Sequence, residues 1–147
     1  MDLDESAAAF TRLTGMQPNP YHPLVWLLGD PKIGPGVAIG GFTEINASGA
    51  NISIGEGCDI ASFVSINCSD SHKRAIGIDR DIERRDIVIE DHVFIGSHSV
   101  IKGGAHIGHH SVVAAGSIVD GVRVPPHSLI SGNPMKIKEY YYQAASE

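Results

Sequence analysis

The sequence has few cysteines, few basic residues and no long apolar run. Cys58 and Cys68 are its only cysteines, too few for a disulfide framework, so we expect reduced thiols and a cytoplasmic protein. The longest apolar stretch, 24–28, is far shorter than the roughly 20 residues of a membrane-spanning helix. The acidic start of the chain also differs from the basic start of a signal peptide. We therefore expect no membrane partner.

Basic residues are outnumbered by acidic ones. The chain has 11 lysines and arginines against 17 aspartates and glutamates, and its formal net charge is −6. This balance argues against a general nucleic-acid surface, because phosphate binding depends on clustered cations. With 147 residues, the chain is expected to form one domain with a sizeable core.

What the sequence does contain is a repeat of six residues. An aliphatic residue recurs every six positions, and a residue that is usually small follows it four positions later. The aliphatic positions are Ile33, Ile39, Ile45, Ile54, Ile60, Ile66, Ile89, Ile95, Ile101, Ile107, Val113 and Val119. The second positions are Val37, Thr43, Gly49, Cys58, Val64, Val93, Ser99, Ala105, Ser111 and Ser117. A period of six fits neither a helix nor the alternation of an ordinary strand, and it indicates a repeat architecture.

The repeat predicts an all-β fold, a triangular coil of parallel strands. Each hexad supplies one short strand and one corner, so three hexads, or 18 residues, complete one turn. The aliphatic side chain then points inward and stacks on its equivalent in the next turn, as Ile89 would on Ile107 and Ile95 on Val113. Stacked turns create a continuous core that no single turn has. We expect roughly four turns over 32–125.

The remaining chain is expected to cover the ends of this coil. Residues 1–31 form an N-terminal helix and capping segment, with the helix at 4–14 and the apolar stretch 24–28 covering the open first turn. Residues 32–134 form the repeat region. Residues 135–147 form a C-terminal tail or helix, which acts as a cap or a subunit contact.

The repeat is interrupted twice. The spacing is nine residues between Ile45 and Ile54, and 23 residues between Ile66 and Ile89. The second interruption predicts a protruding, highly charged loop at 67–88. Long excursions from a rigid scaffold are common places for binding and catalysis.

Five runs of the sequence carry a resemblance to a known family: 58–72, 89–96, 101–108, 113–119 and 131–134. They include Ser71-His72, Ala114-Ala115-Gly116-Ser117 and Gly132-Asn133-Pro134. Together they resemble the hexapeptide-repeat acyltransferases, in particular the branch acetylating sugars and xenobiotics. The resemblance implies a left-handed parallel β-helix, acetyl-CoA as co-substrate, a small-molecule acceptor, and a homotrimer with active sites between subunits.

His72 matches the catalytic histidine of that family. Acetyl transfer from a thioester needs a base that removes the proton of the acceptor, and imidazole suits this role near neutral pH. Asp70 is close enough in sequence to orient the ring. The alternative for His72 is a solvated loop histidine without a function.

The resemblance also implies an acetyl-CoA groove on the outside of the coil. By position, its small residues would be Gly104, Ala114, Ala115 and Gly116, with Asn133 at the end of the repeat. Lys136 and Lys138 follow where the CoA phosphates need cations. The alternatives are plain corner geometry for the small residues and simple solvation for the lysines.

The acceptor is not identified by the sequence, but a sugar or nucleotide sugar is expected. Basic residues of the loop, Lys73, Arg74, Arg80, Arg84 and Arg85, would contact a diphosphate or an acidic sugar. Pairing with the interleaved acids of the loop is a slightly favoured alternative. Transfer to a hydroxyl is favoured over transfer to an amine.

Histidine is frequent enough to raise the question of a metal. The candidates are His92, His98, His106, His109 and His110. A γ-class carbonic anhydrase has a related fold and a three-histidine zinc site, but its ligand pair with four intervening residues is absent, since three residues separate His106 from His110. We therefore expect no metal, and His22 and His127 are unassigned. A metalloenzyme of that class and a non-catalytic assembly module remain as alternative functions.

Overall fold

Three parallel sheets form the walls of a triangular coil in the computed structural model, which describes residues 2–142. The first wall contains β1 (Trp26–Gly29), β4 (Glu44–Ala47), β7 (Ser65–Asn67), β12 (Val100–Lys102) and β15 (Ile118–Val119). The second contains β2 (Lys32–Ile33), β5 (Ile52–Ile54), β10 (Ile87–Ile89), β13 (His106–Ile107) and β16 (Arg123–Val124). The third contains β3 (Ala38–Ile39), β6 (Asp59–Ile60), β11 (Phe94–Ile95), β14 (Val112–Val113), β17 (Leu129–Ser131) and β18 (Lys136–Lys138). The predicted fold class is confirmed: this is a parallel β-helix, and its hexapeptide repeat fits the left-handed type.

The inward aliphatic residues stack as the repeat predicts. Ile89 pairs in register with Ile107, and Ile95 pairs with Val113. The small positions close the corners, and where they carry a hydroxyl it is bonded to a nearby carbonyl. The Thr43 hydroxyl, for example, donates to the Ala61 carbonyl oxygen at 2.7 Å. Gly49 departs from the expectation and is exposed, because the three-residue corner insertion at 48–50 moves it off the inner surface.

The N-terminal segment differs from a simple cap. Helix α1 (Leu3–Thr14) begins with a capping box between Asp2 and Glu5, and Phe10 packs edge-on against Trp26 at 6.5 Å between ring centroids. The stretch 24–28, expected to cover the first turn, instead enters it. Strand β1 pairs in parallel with β4, and Val25 is fully buried. Within 32–125 the first and third walls have four strands each and the second has five, which fits the roughly four turns predicted there, and β1 adds a further strand to the first wall.

The C-terminal segment contains a strand where a tail or helix is predicted. Lys136–Lys138 is a strand, β18, that runs antiparallel to β17 and pairs Ile137 with Ile130. The alternation of Lys, Ile and Lys explains this, because it turns one apolar side chain toward the core and leaves both lysines exposed. Residues 143–147 of the predicted tail or helix at 135–147 lie outside the described residues.

The long loop leaves the corner between the first and second walls. It contains a two-stranded antiparallel hairpin, β8 (Ser69–Asp70) with β9 (Glu83–Arg84), and the short helix α2 (His72–Ala75). The hairpin holds both ends of the loop against the coil. Within residues 2–142, neither helix has the length and apolar character needed to cross a membrane.

Candidate active site

A cavity of about 490 Å³ lies between the hairpin and the outer face of the first wall. The hairpin supplies charged and polar side chains, and β7, β12 and β15 supply the floor. Its lining residues are Ser65, Asn67, Cys68, Ser69, Asp70, His72, Glu83, Arg85, Val100, Ile101, Lys102, Gly103 and Ile118. The structure thus brings the two residues expected to act in catalysis into one cavity.

Asp70 and His72 form a hydrogen-bonded pair at this cavity. His72 Nδ1 lies 2.7 Å from Asp70 Oδ1, and the His72 backbone N–H donates to the same oxygen at 3.1 Å. An ionised carboxylate can only accept, so the ring proton of a neutral His72 resides on Nδ1 and the Nε2 lone pair is free. Both side chains are about half exposed, at 53% for His72 and 47% for Asp70. The imidazole is therefore oriented and remains accessible to a ligand.

The charges around the pair keep Asp70 ionised. Hydrogen bonds from the side chain and then the backbone of His72 hold the pKa of the Asp70 carboxyl below its usual value, and the Lys102 ammonium adds to this effect. Glu83, opposite Asp70 in the hairpin, forms an ion pair with Lys73. This ion pair lowers the pKa of Glu83 and raises that of Lys73.

The four arginines expected to bind substrate are not together. Arg85 lines the cavity, and its guanidinium lies over Gly104 and Gly121 of the coil. Arg84 points to another part of the corner, where its Nε–H donates to the Ser48 carbonyl oxygen at 3.0 Å. Arg74 and Arg80 are exposed on the loop and do not line the cavity. The preferred alternative, pairing within the loop, holds for Lys73 with Glu83.

The residues expected to hold CoA lie at the two corners that flank the first wall. Gly104 lies beside Arg85 at one corner. Ala114, Ala115 and Gly116 form the other, where the Gly132 backbone N–H donates to the Ser117 hydroxyl at 3.1 Å and places Asn133 nearby. Lys136 and Lys138 lie on the third wall and do not line the cavity.

Sequence reasoning missed Lys102 and Glu83 as neighbours of the pair. Lys102 directly follows the inward Ile101, so the hexad itself places it on the outer face of the first wall. The signal for Lys102 was therefore present in the repeat. Glu83 had no such signal, because its position depends on the pairing of β8 with β9 across the loop.

Comparisons with known proteins find relatives of this chain in a sequence family and among solved structures. The family described as the hexapeptide repeat of succinyl-transferase matches residues 86–121, and no curated protein sequence matches the chain. Among solved structures, a hexapeptide-repeat containing acetyltransferase from Vibrio cholerae is 30% identical to this chain. The match covers 95% of this chain and 82% of that protein, at a TM-score of 0.58. The chain belongs to the hexapeptide-repeat acetyltransferases.

Other members of these acetyltransferases extend the comparison. The same Vibrio cholerae protein has also been solved with acetyl coenzyme A. The polySia-specific acetyltransferase NeuO is 29% identical over 78% of this chain at a TM-score of 0.62, and the match spans 60% of its length. A galactoside acetyltransferase in complex with coenzyme A covers 99% of this chain and 88% of its own at a TM-score of 0.62, but at 22% identity it supports the fold alone.

Proposed function

We propose that this protein transfers the acetyl group of acetyl-CoA to a hydroxyl of a small acceptor, a sugar or nucleotide sugar, with His72 as the general base. The hydrogen bond of 2.7 Å between His72 Nδ1 and Asp70 Oδ1, inside an open cavity, is the observation that carries the proposal. Family membership supports the reaction class. The Vibrio cholerae relative solved with acetyl coenzyme A supports the donor.

The chemistry requires one proton to move twice. His72 Nε2 takes the proton of the acceptor hydroxyl while its oxygen attacks the thioester carbonyl carbon, which gives a tetrahedral intermediate and an imidazolium. Asp70 stabilises that imidazolium through Nδ1–H. The intermediate then expels the CoA thiolate, which receives the proton back from Nε2, so the products are an acetyl ester and CoA thiol. An amine acceptor would follow the same steps.

The CoA arm would run along the edges of the first wall. Gly104, Ala114, Ala115 and Gly116 have small side chains or none, so a ligand could approach their backbone closely. Nothing lies within 4 Å of a Cβ built on Gly116, which supports open space at that corner. Asn133 lies beside it, and Lys136 and Lys138 on the neighbouring wall would meet the phosphates if the nucleotide bends around the corner.

We also propose that the active unit is a homotrimer with its sites between subunits. The cavity is open, and half of each catalytic side chain is exposed, which leaves room for a second subunit to complete the CoA groove. Light scattering of the purified protein tests the assembly. A mixture of two inactive variants then tests whether each active site is built from two subunits, one variant with a damaged CoA groove and the other without His72. Activity would return only if one subunit supplies the groove and its neighbour supplies the base.

The acceptor is proposed to carry negative charge. Arg85 and Lys102 line the cavity, and among residues 2–142 neither forms an ion pair with a carboxylate. Two cations at an open cavity that form no salt bridge with a described carboxylate favour an acidic sugar or a sugar diphosphate. The likeness to a polySia-specific acetyltransferase points to the same class. Arg74, Arg80 and Arg84 are left as secondary contacts for a long acceptor.

The state of the cysteines supports a cytoplasmic location. Both are free and buried, and the Cys58 thiol donates to the Glu90 carbonyl oxygen at 3.1 Å. Burial raises the pKa of the Cys58 thiol, which makes it a poor nucleophile. We therefore assign both thiols a structural role and propose that the protein works in a reducing compartment.

The deciding experiment measures thiol release from acetyl-CoA with neutral sugars, acidic sugars and nucleotide sugars as acceptors. Replacing the base, His72→Ala, should lower kcat by about 10²–10⁴-fold because proton abstraction is lost. His22→Asn serves as the control, because His22 does not line the cavity, and it should leave kcat unchanged. An unchanged kcat in His72→Ala would overturn the assignment of the base, and no turnover by the parent protein with any acceptor would overturn the acceptor class.

A further inference from the structure

A column of histidines lies at the corner between the second and third walls, opposite the wall that carries the cavity. His92, His110 and His127 occupy the same corner position in three successive turns, each with left-handed backbone, at φ of 53°, 57° and 58°. Their rings stack as a result. The ring centroids are 5.1 Å apart for His92 and His110, and 5.2 Å apart for His110 and His127.

His109 turns this column into a cluster. Its ring lies edge-on to His110 and His127, with centroids 5.1 and 5.2 Å away. One ring nitrogen from each of His109, His110 and His127 lies within 4.8 Å of the other two, and the Nδ1 atoms of His109 and His110 are 2.9 Å apart. Ring stacking accounts for the column, but it does not require one ring nitrogen from each of three histidines to lie within 4.8 Å of the other two.

Hydrogen bonds hold the backbone that carries these three rings. The His110 N–H donates to the Asp91 carbonyl oxygen at 3.0 Å, and the His127 N–H donates to the His109 carbonyl oxygen at 2.9 Å. The His109 N–H donates to the Glu90 carboxylate at 3.1 Å. The backbone of this corner is thus fixed by hydrogen bonds within and between turns, so the three histidines start from defined backbone positions before any ligand arrives.

We propose that His109, His110 and His127 bind a divalent zinc-type cation, with a further position open to water. Three imidazoles and no carboxylate favour Zn²⁺ and its neighbours over Mg²⁺ or Ca²⁺, which prefer oxygen ligands. His110 is exposed and the other two are half-buried, so an ion can reach the site. This site is separate from the acetyl-transfer cavity and goes beyond the proposed function.

The sequence led to the opposite expectation, and the coil explains why. The 18-residue spacing predicts that His92 and His110 share one face, but the spacing of His106 and His110 does not match a zinc ligand pair, and His127 has no assigned role. In the structure His106 faces Glu90 instead, with Nε2 and Oε2 2.5 Å apart. His127 arrives from the next turn of the coil, where only the stacking of corners makes it a neighbour of His109.

Binding should also stabilise the protein, because the three ligands come from two turns of the coil. His109 and His110 lie between β13 and β14, and His127 lies between β16 and β17. A cation held by both turns binds only the folded chain, so saturating Zn²⁺ should raise the melting temperature. This readout does not depend on catalysis.

The test uses protein without a polyhistidine tag, stripped with EDTA and dialysed, and measures Zn²⁺ binding by calorimetry alongside thermal unfolding. The parent should bind one Zn²⁺ per chain and melt at a higher temperature with it. His109→Gln and His127→Asn should each weaken binding by about 10–100-fold or more. Asn is chosen at position 127 because it tolerates left-handed backbone.

His98→Asn is the matched control. His98 is an exposed corner histidine with φ of 61° that stacks on Phe63 at another corner, so its loss should leave Zn²⁺ binding unchanged. Circular dichroism of the metal-free variants verifies that they fold. His109 does not have left-handed backbone, so His109→Gln still tests the site if His127→Asn folds poorly. The proposal is overturned if the parent binds no stoichiometric Zn²⁺, or if folded His109→Gln binds it as tightly as the parent.

Discussion

At the scale of single residues, one carboxylate oxygen organises the candidate active site. Asp70 Oδ1 accepts hydrogen bonds from both the ring and the backbone of His72, so the ring is fixed in position and in tautomer. Because the pKa of Asp70 lies below its usual value, the carboxylate is charged throughout the neutral range. The stabilisation that the ionised Asp70 gives to the folded protein is present above the pKa of this group in the unfolded chain, about 3.9. It is lost as the pH falls through the lower pKa of the folded protein.

The first prediction at this scale concerns the charge of Asp70. Asp70→Asn keeps an oxygen that can accept from Nδ1–H but removes the negative charge that stabilises the imidazolium. We expect kcat to fall by about 10–100-fold while KM for the acceptor changes little. Steady-state kinetics on both substrates measures the two parameters separately.

Asp70→Glu is the companion variant, since it restores the charge on a longer side chain and should recover part of the lost kcat. A purely structural role for Asp70 would instead show as a loss of folded protein in both variants. A rise in KM with kcat unchanged would mean that Asp70 binds the acceptor and does not act through His72.

At the scale of elements, the hairpin β8–β9 packs closely against a glycine of the coil. The Arg85 N–H donates to the Cys68 carbonyl oxygen at 3.0 Å, and Gly103 lies directly beneath. A Cβ on Gly103 would be 2.8 Å from the Cys68 oxygen and 3.3 Å from the Arg85 oxygen. Both are backbone atoms that cannot swing aside, so the hairpin depends on the missing side chain.

A methyl group at this point should therefore move the catalytic hairpin. Gly103→Ala is expected to lower kcat/KM by about 10–100-fold, because small displacements of catalytic groups are costly. Gly34→Ala is the control, since its Cβ would be equally crowded, 2.9 Å from the Glu56 nitrogen, but at the corner opposite the first wall. It should lose similar stability and keep its activity. Equal activity in both variants would show that the hairpin tolerates displacement.

The sequence predicts the elements that follow the repeat and misses those that depend on pairing across a loop. Its 23-residue gap located the excursion that carries His72, and proximity in sequence was enough to associate Asp70 with it. The antiparallel pairing of Asp70 with Glu83 has no periodic signal. The stretch 24–28 was predicted as a cap for a different reason: Val25 and Leu27 alternate as in a strand, but they precede the first regular hexad.

At the scale of the whole molecule, the coil is a one-dimensional stack in which each turn contacts only its neighbours. This makes the core predictable from the repeat, because one inward aliphatic per hexad fixes each register. It also explains why corner clusters are hard to foresee. The constant spacing of 18 residues places His110 next to His92, but His127 follows His110 after only 17 residues, so a constant spacing does not pair these two.

The stack also predicts how stability is distributed along the coil. Ile95 is fully buried between Ile60 and Val113, whereas Ile39 pairs in register with Ile60 alone and is 6% exposed. Ile95→Ala should therefore cost about 4 kcal/mol of unfolding free energy, and Ile39→Ala about 2 kcal/mol, because the inner cavity is enclosed on both sides. Urea unfolding followed by circular dichroism measures both losses. Equal losses would mean that the end turn is as tightly packed as the middle, and that the N-terminal segment, through Tyr21 and Leu27, completes the core as effectively as another turn of the coil.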